Sequence, residues 1–194
     1  MTLTHAAFGA GSVTRNAGLV LAGTVLIAIA AQVAIPFYPV PLTLQTLAIL
    51  SVGLAFGSRL GAATVLAYLA EGAMGLPVFA GGGAGLAYMA GPTAGFLLGF
   101  VLMAYVAGLF AERSKSFVVM AVGALLASAL LYLPGVAWPM AVAQLFGISA
   151  SWVGSSADVI WTHWVSPFLF GDAVKALLAA LVVAGGWKAL SARR

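Results

Sequence analysis

Cysteine is absent from the 194 residues, which excludes disulfides, thiolate metal sites and cysteine nucleophiles. Charge is nearly absent as well: Asp, Glu, Lys and Arg make up only 6% of the chain. A soluble domain of this length needs far more polar surface than that. His5 and His163 stand alone, with no second ligand at a metal-binding spacing, so no metal site is expected. No nucleophile, base and orienting group share an arrangement, so neither a catalytic residue nor an enzyme is expected. No glycine-rich loop ends in Gly-Lys-Ser/Thr, which excludes ATP hydrolysis by a Walker loop. No cofactor is implied. The basic excess, a net charge of +4 and a pI near 9.8, is scattered over segment ends and forms no stripe. Nucleic acid is therefore not an expected partner.

What is present is apolar. The hydrophobic content is 63% and the mean hydropathy +1.14, values that belong to a membrane protein with the lipid bilayer around it. A helix needs about 20 apolar residues to cross the hydrocarbon. Six segments come close, at about 17–35, 43–57, 59–76, 93–111, 117–134 and 168–188. Long runs without strict alternation argue for helices and against a barrel. The expected fold is all-α, a single membrane domain over 1–194 with six transmembrane helices. Residues 1–16 lack the pattern of a removed signal peptide, so the first long segment is expected to stay in the membrane. Arg15, Arg59, Arg113, Lys115, Lys188, Arg193 and Arg194 all fall at one side of this arrangement. By the positive-inside rule that side, with both termini, is cytoplasmic. Lys175 is the exception.

The eight prolines lie in or beside the three outward connections, which reads as outer loops built to hold shape. "AGGGAG" at 80–85 adds tight turns there. The third outward connection, 135–167, holds four of the five tryptophans. Within it "SSADVIWTHW" reads as a short interfacial helix, with Ser155 and Asp158 in a capping pattern.

The scarce polar residues are the candidate site. Asp172 and Lys175, in "FLFGDAVK", are three apart and share a helix face. Two readings are open. They form a mutual salt bridge capping the last helix, with Asp172 favoured by the helix dipole. Alternatively they face a cavity under the outer loops and meet a small molecule bearing a carboxylate and N–H donors. "PFYPVPLTLQT" at 36–46 places Thr43 and Gln45 at a helix start; capping explains part of Thr43, and Gln45 is a candidate ligand contact. Phe79, Gly83 and Tyr88 come from the second outer loop as candidate walls and backbone donors. Glu71 reads as a buried carboxylate, either helix-paired or proton-coupling. Gly91, Gly95 and Gly99 give one smooth face for close helix packing. On the first helix Gly18 and Ala22, and Ala30 and Ala34, form a small-residue stripe of the kind that lets a partner helix approach.

These stretches resemble the BioY family, the biotin-specific S components of energy-coupling factor transporters. The resemblance is carried by "PVPLTLQTL", by "GLPVFAGGGAG" followed by "GPTAGFLLGF", and by "PFLFGDAVK". Ala94, Phe96 and Phe170 depart from the residues usual at those places. The resemblance implies an S-component-like bundle in the cytoplasmic (inner) membrane that binds biotin with high affinity. It also implies a transmembrane coupling subunit and a pair of ATP-binding-cassette ATPases as partners. Asp172 and Lys175 match the Gly-Asp-x-x-Lys element associated with holding biotin. Gly18 and Ala22 are then the expected docking face for the coupling subunit. The alternative function is a self-sufficient secondary transporter of biotin or a similar carboxylate, coupled to protons through Glu71 or Asp172.

Overall fold

The computed structural model describes residues 2–8 and 12–192. Met1, residues 9–11 of the N-terminal stretch, and the Arg193 and Arg194 counted above lie outside them. Helices dominate: α1 (Leu3–Phe8), α2 (Val13–Gln32), α3 (Gln45–Phe56), α4 (Ser58–Ala73), α5 (Gly85–Met89), α6 (Ala94–Arg113), α7 (Phe117–Ala137), α8 (Ala143–Leu145), α9 (Ala157–Ile160) and α10 (Ser166–Ser191). The six longest follow the six apolar segments. Four helical stretches among the described residues are long and apolar enough to cross a membrane: Val13–Gln32, Ala94–Arg113, Phe117–Leu145 and Ala157–Ser191. The chain is a multi-pass membrane protein.

The other two helices are short, 12 residues in α3 and 16 in α4. At 1.5 Å per residue, α3 covers about 18 Å. It is surrounded by protein, lying against α2, α4, α6 and α10, with Ala48, Ile49, Leu50, Val52 and Leu54 buried. Backbone that leaves the helix early is tolerated where protein replaces lipid. The chain before α3 does leave it: β1 (Ala34–Ile35) pairs antiparallel with β2 (Leu42–Thr43), Ala34 opposite Thr43. The 36–41 segment between them straps across one end of the bundle. Ala34 is thus a strand residue, and the expected Ala30–Ala34 pair does not share a helix face.

Small residues seat the helices closely. A Cβ on Gly53 of α3 would stand 2.5 Å from the Ala104 carbonyl of α6, and one on Gly95 of α6 would meet the Pro134 carbonyl of α7. The expected packing role of Gly95 and Gly99 is therefore internal, against α7. At the end away from the strap, Glu112 accepts from the Ser58 backbone N–H at 2.7 Å and from the Ser58 hydroxyl at 2.9 Å, tying α6 to the start of α4. Lys115 lies 4.3 Å over the Trp187 ring, which holds the α6–α7 turn against the far end of α10.

Two expectations are corrected by wide turns. Pro139, expected in a connection, lies within one helical stretch from Phe117 to Leu145. The 155–164 stretch is not a separate interfacial helix, since α9 runs through Trp161–Val165 into α10 as one stretch of 35 residues. Proline ends a helix because it lacks an N–H and crowds the preceding turn. Here the backbone widens to i→i+5 bonding beside each offending proline: Ala143 N–H donates to Trp138 O near Pro139, and Ser166 N–H to Trp161 O just before Pro167. Ser155 makes no capping box either; Ser156 precedes α9 without a side-chain cap, and the Ser155 hydroxyl donates to Trp152 O. Consequently Asp172 sits in the interior of a long helix instead of at its head, which removes the dipole-capping reading. Glu71 is half-buried, less enclosed than expected.

Candidate ligand-binding site

Beneath the strap, α3, α6, α7 and α10 converge on a cavity of about 540 Å³, counting its open mouth. Its walls are apolar, with Phe96, Leu97 and Phe100 from α6, Leu131 from α7 and Phe168 from α10. Half of its lining residues carry a polar side chain. Asp172 and Lys175 are both buried and joined at 3.1 Å from Nζ to Oδ1. The pairing follows from their spacing on α10. Two further donors fix the carboxylate: Thr46 Oγ1 of α3 donates to Oδ1 at 3.2 Å and the Tyr132 hydroxyl of α7 to Oδ2 at 2.7 Å. Three helices thereby meet on one aspartate. Among the described residues Oδ1 has two donors and Oδ2 one, which leaves one lone pair of Oδ2 uncommitted; Lys175 has spent one of its three N–H groups on Asp172.

Gln45, the first residue of α3, donates from Nε2 to the Tyr68 hydroxyl at 2.7 Å, and Tyr68 donates onward to Val78 O at 2.9 Å. Thr43 Oγ1 accepts from the Gln45 backbone N–H at 3.2 Å, although the cap position of α3 is Leu44 and not Thr43 as expected, and Thr43 and Gln45 both line the cavity. Tyr88 lines it from α5. Burial pushes the Tyr88 hydroxyl above the usual phenol range, with a bond to Thr93 opposing, so at neutral pH it is an uncharged donor.

Five of the sequence-derived candidates, Asp172, Lys175, Gln45, Thr43 and Tyr88, therefore share one cavity. Phe79 and Gly83 do not line it. Phe79 is fully buried behind the wall, stacked on Tyr88 at 5.0 Å between ring centroids. Gly83 makes room for the Tyr88 ring, which a Cβ there would strike. The 80–85 backbone contributes Ala80 to the lining, while Gly82 N–H is already donated to Gln32 Oε1. Glu71 lies outside the lining as well. Sequence reading missed Tyr132 and Thr46. Thr46 adjoins Gln45, and Tyr132 is the one hydroxyl-bearing residue in its apolar run from 129 to 138; which helix each would face was not written in either segment. Gly18 and Ala22 stand apart, exposed on α2.

The sequence profile of the BioY family matches residues 2–192. The chain belongs to the BioY family. Among its relatives, a biotin transporter BioY from Rhizobium etli is 39% identical over 83% of this chain and 87% of its own length. One from Thermotoga maritima is 35% identical over 82% of this chain and 88% of its own. In fold, the chain resembles the crystallised S-component for biotin of an ECF-type ABC transporter, with a TM-score of 0.74 over 92% of this chain and 95% of that one, at 24% identity. The stretches that carried the resemblance converge in space. "PVPLTLQTL" supplies Thr43, Gln45 and Thr46, "GPTAGFLLGF" supplies Thr93, Phe96 and Phe100, and "PFLFGDAVK" supplies Phe168, Asp172 and Lys175.

Proposed function

We propose that this BioY protein is the biotin-binding membrane subunit of an uptake system in the cytoplasmic membrane, driven by a coupling subunit and an ATPase pair. The observation that carries this reading is the buried Asp172–Lys175 pair, joined at 3.1 Å inside an apolar-walled cavity. A buried ion pair is a poor stability device, because desolvation consumes most of its attraction. With one free lone pair beside two free N–H groups, it is a good receptor for a group that is both donor and acceptor. The ureido ring of biotin is such a group. Lys175 donates to its carbonyl and Asp172 accepts from one of its N–H groups. The short bridge favours one shared end of the ligand over opposite ends. Phe96, Phe168 and Tyr88 then cover the thiophane and alkyl chain, and Gln45 and Thr43 stand for the more polar remainder.

The six apolar helices cross the membrane with both termini cytoplasmic, the basic residues at the Glu112 end inside and the strap outside. Gly18 and Ala22, exposed on α2, form the docking face for the coupling subunit. A proton-coupled mechanism through Glu71 or Asp172 is the weaker reading, since Glu71 stands outside the cavity and Asp172 is already paired with Lys175. The test is equilibrium binding of radiolabelled biotin to the purified chain in nanodiscs. The parent is expected to bind tightly, while Asp172→Asn and Lys175→Ala each lose about 2–5 kcal/mol, or about one and a half to four orders of magnitude. A folded parent with no saturable binding refutes the function. Two variants that bind like the parent refute the site.

A further inference from the structure

A separate cavity, of about 870 Å³ counting its mouth, lies at the end of the bundle away from the strap. The short helix α1 builds one of its walls. That helix is fastened to the bundle: Thr4 Oγ1 donates to Ala55 O at 3.2 Å, and Leu3 packs against Gly186 of α10. Leu19 of α2, Phe56 of α3 and Leu60 of α4 make one part of the lining apolar. The polar part has Arg15 and Asn16 of α2 and Glu112 of α6, with Thr2 and His5 from the α1 side. None of these residues lines the cavity beneath the strap.

Arg15 and Glu112 share this cavity without meeting. Among the described residues the only ion pair is Lys175 with Asp172. Glu112 is exposed and Arg15 half-buried, so both are within reach of a ligand. Arg15 donates from Nη1 to Phe8 O at 2.9 Å and its Nε is buried, which leaves the other N–H bonds of its terminal nitrogens free. Glu112 receives both Ser58 donors on Oε1, and Oε2 has no partner among the described residues. A lone anion here would face the Glu112 carboxylate, and a lone cation the Arg15 guanidinium. A ligand carrying both signs meets neither conflict. The apolar lining adds a second requirement, which a small soluble zwitterion does not fill and a headgroup on its glycerol does. We propose that this cavity holds the headgroup of an aminophospholipid. Arg15 takes the phosphate, Glu112 Oε2 takes the ammonium, and Leu19, Phe56 and Leu60 cover the glycerol esters. The inference rests on the proposed orientation, which sets this end and its basic residues at the inner leaflet.

The test is native mass spectrometry of the purified chain in detergent, titrated with phosphatidylethanolamine, phosphatidylglycerol or phosphatidylcholine of the same acyl chains. Phosphatidylethanolamine should bind at least about fivefold tighter than the other two, since glycerol lacks the cation and choline lacks N–H donors. Arg15→Gln should weaken phosphatidylethanolamine and phosphatidylcholine alike, about five- to tenfold, the span from a half-exposed charge pair to a charge-assisted hydrogen bond. Glu112→Gln keeps an acceptor for Ser58. It should weaken phosphatidylethanolamine by a similar factor and leave phosphatidylcholine within about twofold of the parent. Biotin binding, at the other end of the bundle, should stay within about twofold in both variants and checks that they fold. If Glu112→Gln fails that check, the lipid preference of the parent and Arg15→Gln decide. Equal affinity for the three lipids overturns the inference, as does phosphatidylethanolamine binding unmoved in both variants. Tighter binding of phosphatidylglycerol makes this a plain anion site and overturns it too. Displacement by an equal concentration of free phosphoethanolamine makes the ligand a soluble zwitterion and overturns the lipid. A parent with the expected lipid preference and no biotin binding loses the proposed function alone. A parent that binds biotin without that preference loses this inference alone.

Discussion

Asp172 is held by three side chains from three helices, and the strength of its site depends on how firmly it is aimed. Tyr132 makes the shortest of the three bonds, 2.7 Å to Oδ2, and is the sole hydrogen-bond partner of that oxygen among the described residues. Its ring also stands edge-on to Phe96, with centroids 6.0 Å apart. Tyr132→Phe keeps that ring contact and removes only the donor. A hydrogen bond to a charged group is worth about 1.5–3 kcal/mol, so biotin affinity should fall about ten- to hundredfold in isothermal titration. An unchanged Kd would mean that Thr46 and Lys175 suffice to orient the carboxylate. Asp172 and Lys175 were legible in the sequence because an ionised pair in an apolar segment is costly enough to need a reason. Tyr132 was not, because its meaning depends on which helix faces it, a fact held jointly by α7 and α10.

At the scale of elements, helix positions were readable from apolar runs, and helix ends were not. Pro139 and Pro167 both suggested a connection, whereas the chain carries helix through or up to each of them. Local sequence records that a proline lacks an N–H; it does not record that a wide turn nearby will restore the bonding. A second such joint is a side-chain clamp. Gln32, at the last turn of α2, donates from Nε2 to Phe79 O at 3.0 Å and accepts at Oε1 from Gly82 N–H at 3.0 Å. The clamped segment carries Ala80 into the cavity wall and Phe79 behind Tyr88. Gln32→Ala removes both of these neutral hydrogen bonds to the loop, worth about 0.5–1.5 kcal/mol each, together with one from Nε2 to Ala28 O on its own helix. Amide hydrogen exchange over residues 79–89 should accelerate, and biotin should dissociate at least about fivefold faster. Unchanged exchange would show that the aromatic contacts of Phe79, edge-on to Tyr68 and stacked on Tyr88, hold this loop without α2.

At the scale of the whole molecule, the two ends of the bundle do different work. The strap, the second loop and the tryptophan-rich segment gather over the cavity, while the other end is drawn together by Glu112 on Ser58 and Lys115 on Trp187. Between them α2 is the least enclosed of the long helices: Gly18, Leu21, Ala22, Val25 and Ile29 are exposed, and among the described residues nothing beyond its own helix lies within 4 Å of where a Gly18 Cβ would be. In lipid, apolar exposure alone drives little association, so a partner helix gains most where small residues let backbones approach. Gly18 and Ala22 offer that approach away from every cavity-lining residue. Ala22→Trp should therefore separate two properties. Co-purification with the coupling subunit and its ATPases should drop severalfold, and ATP-driven biotin uptake with it, while labelled-biotin binding by the isolated chain stays within about twofold of the parent. Retained co-purification would place the docking face elsewhere on the molecule. Loss of binding and co-purification together would mean that the indole disturbs the helix itself, because Ala22 is not among the residues that line the cavity.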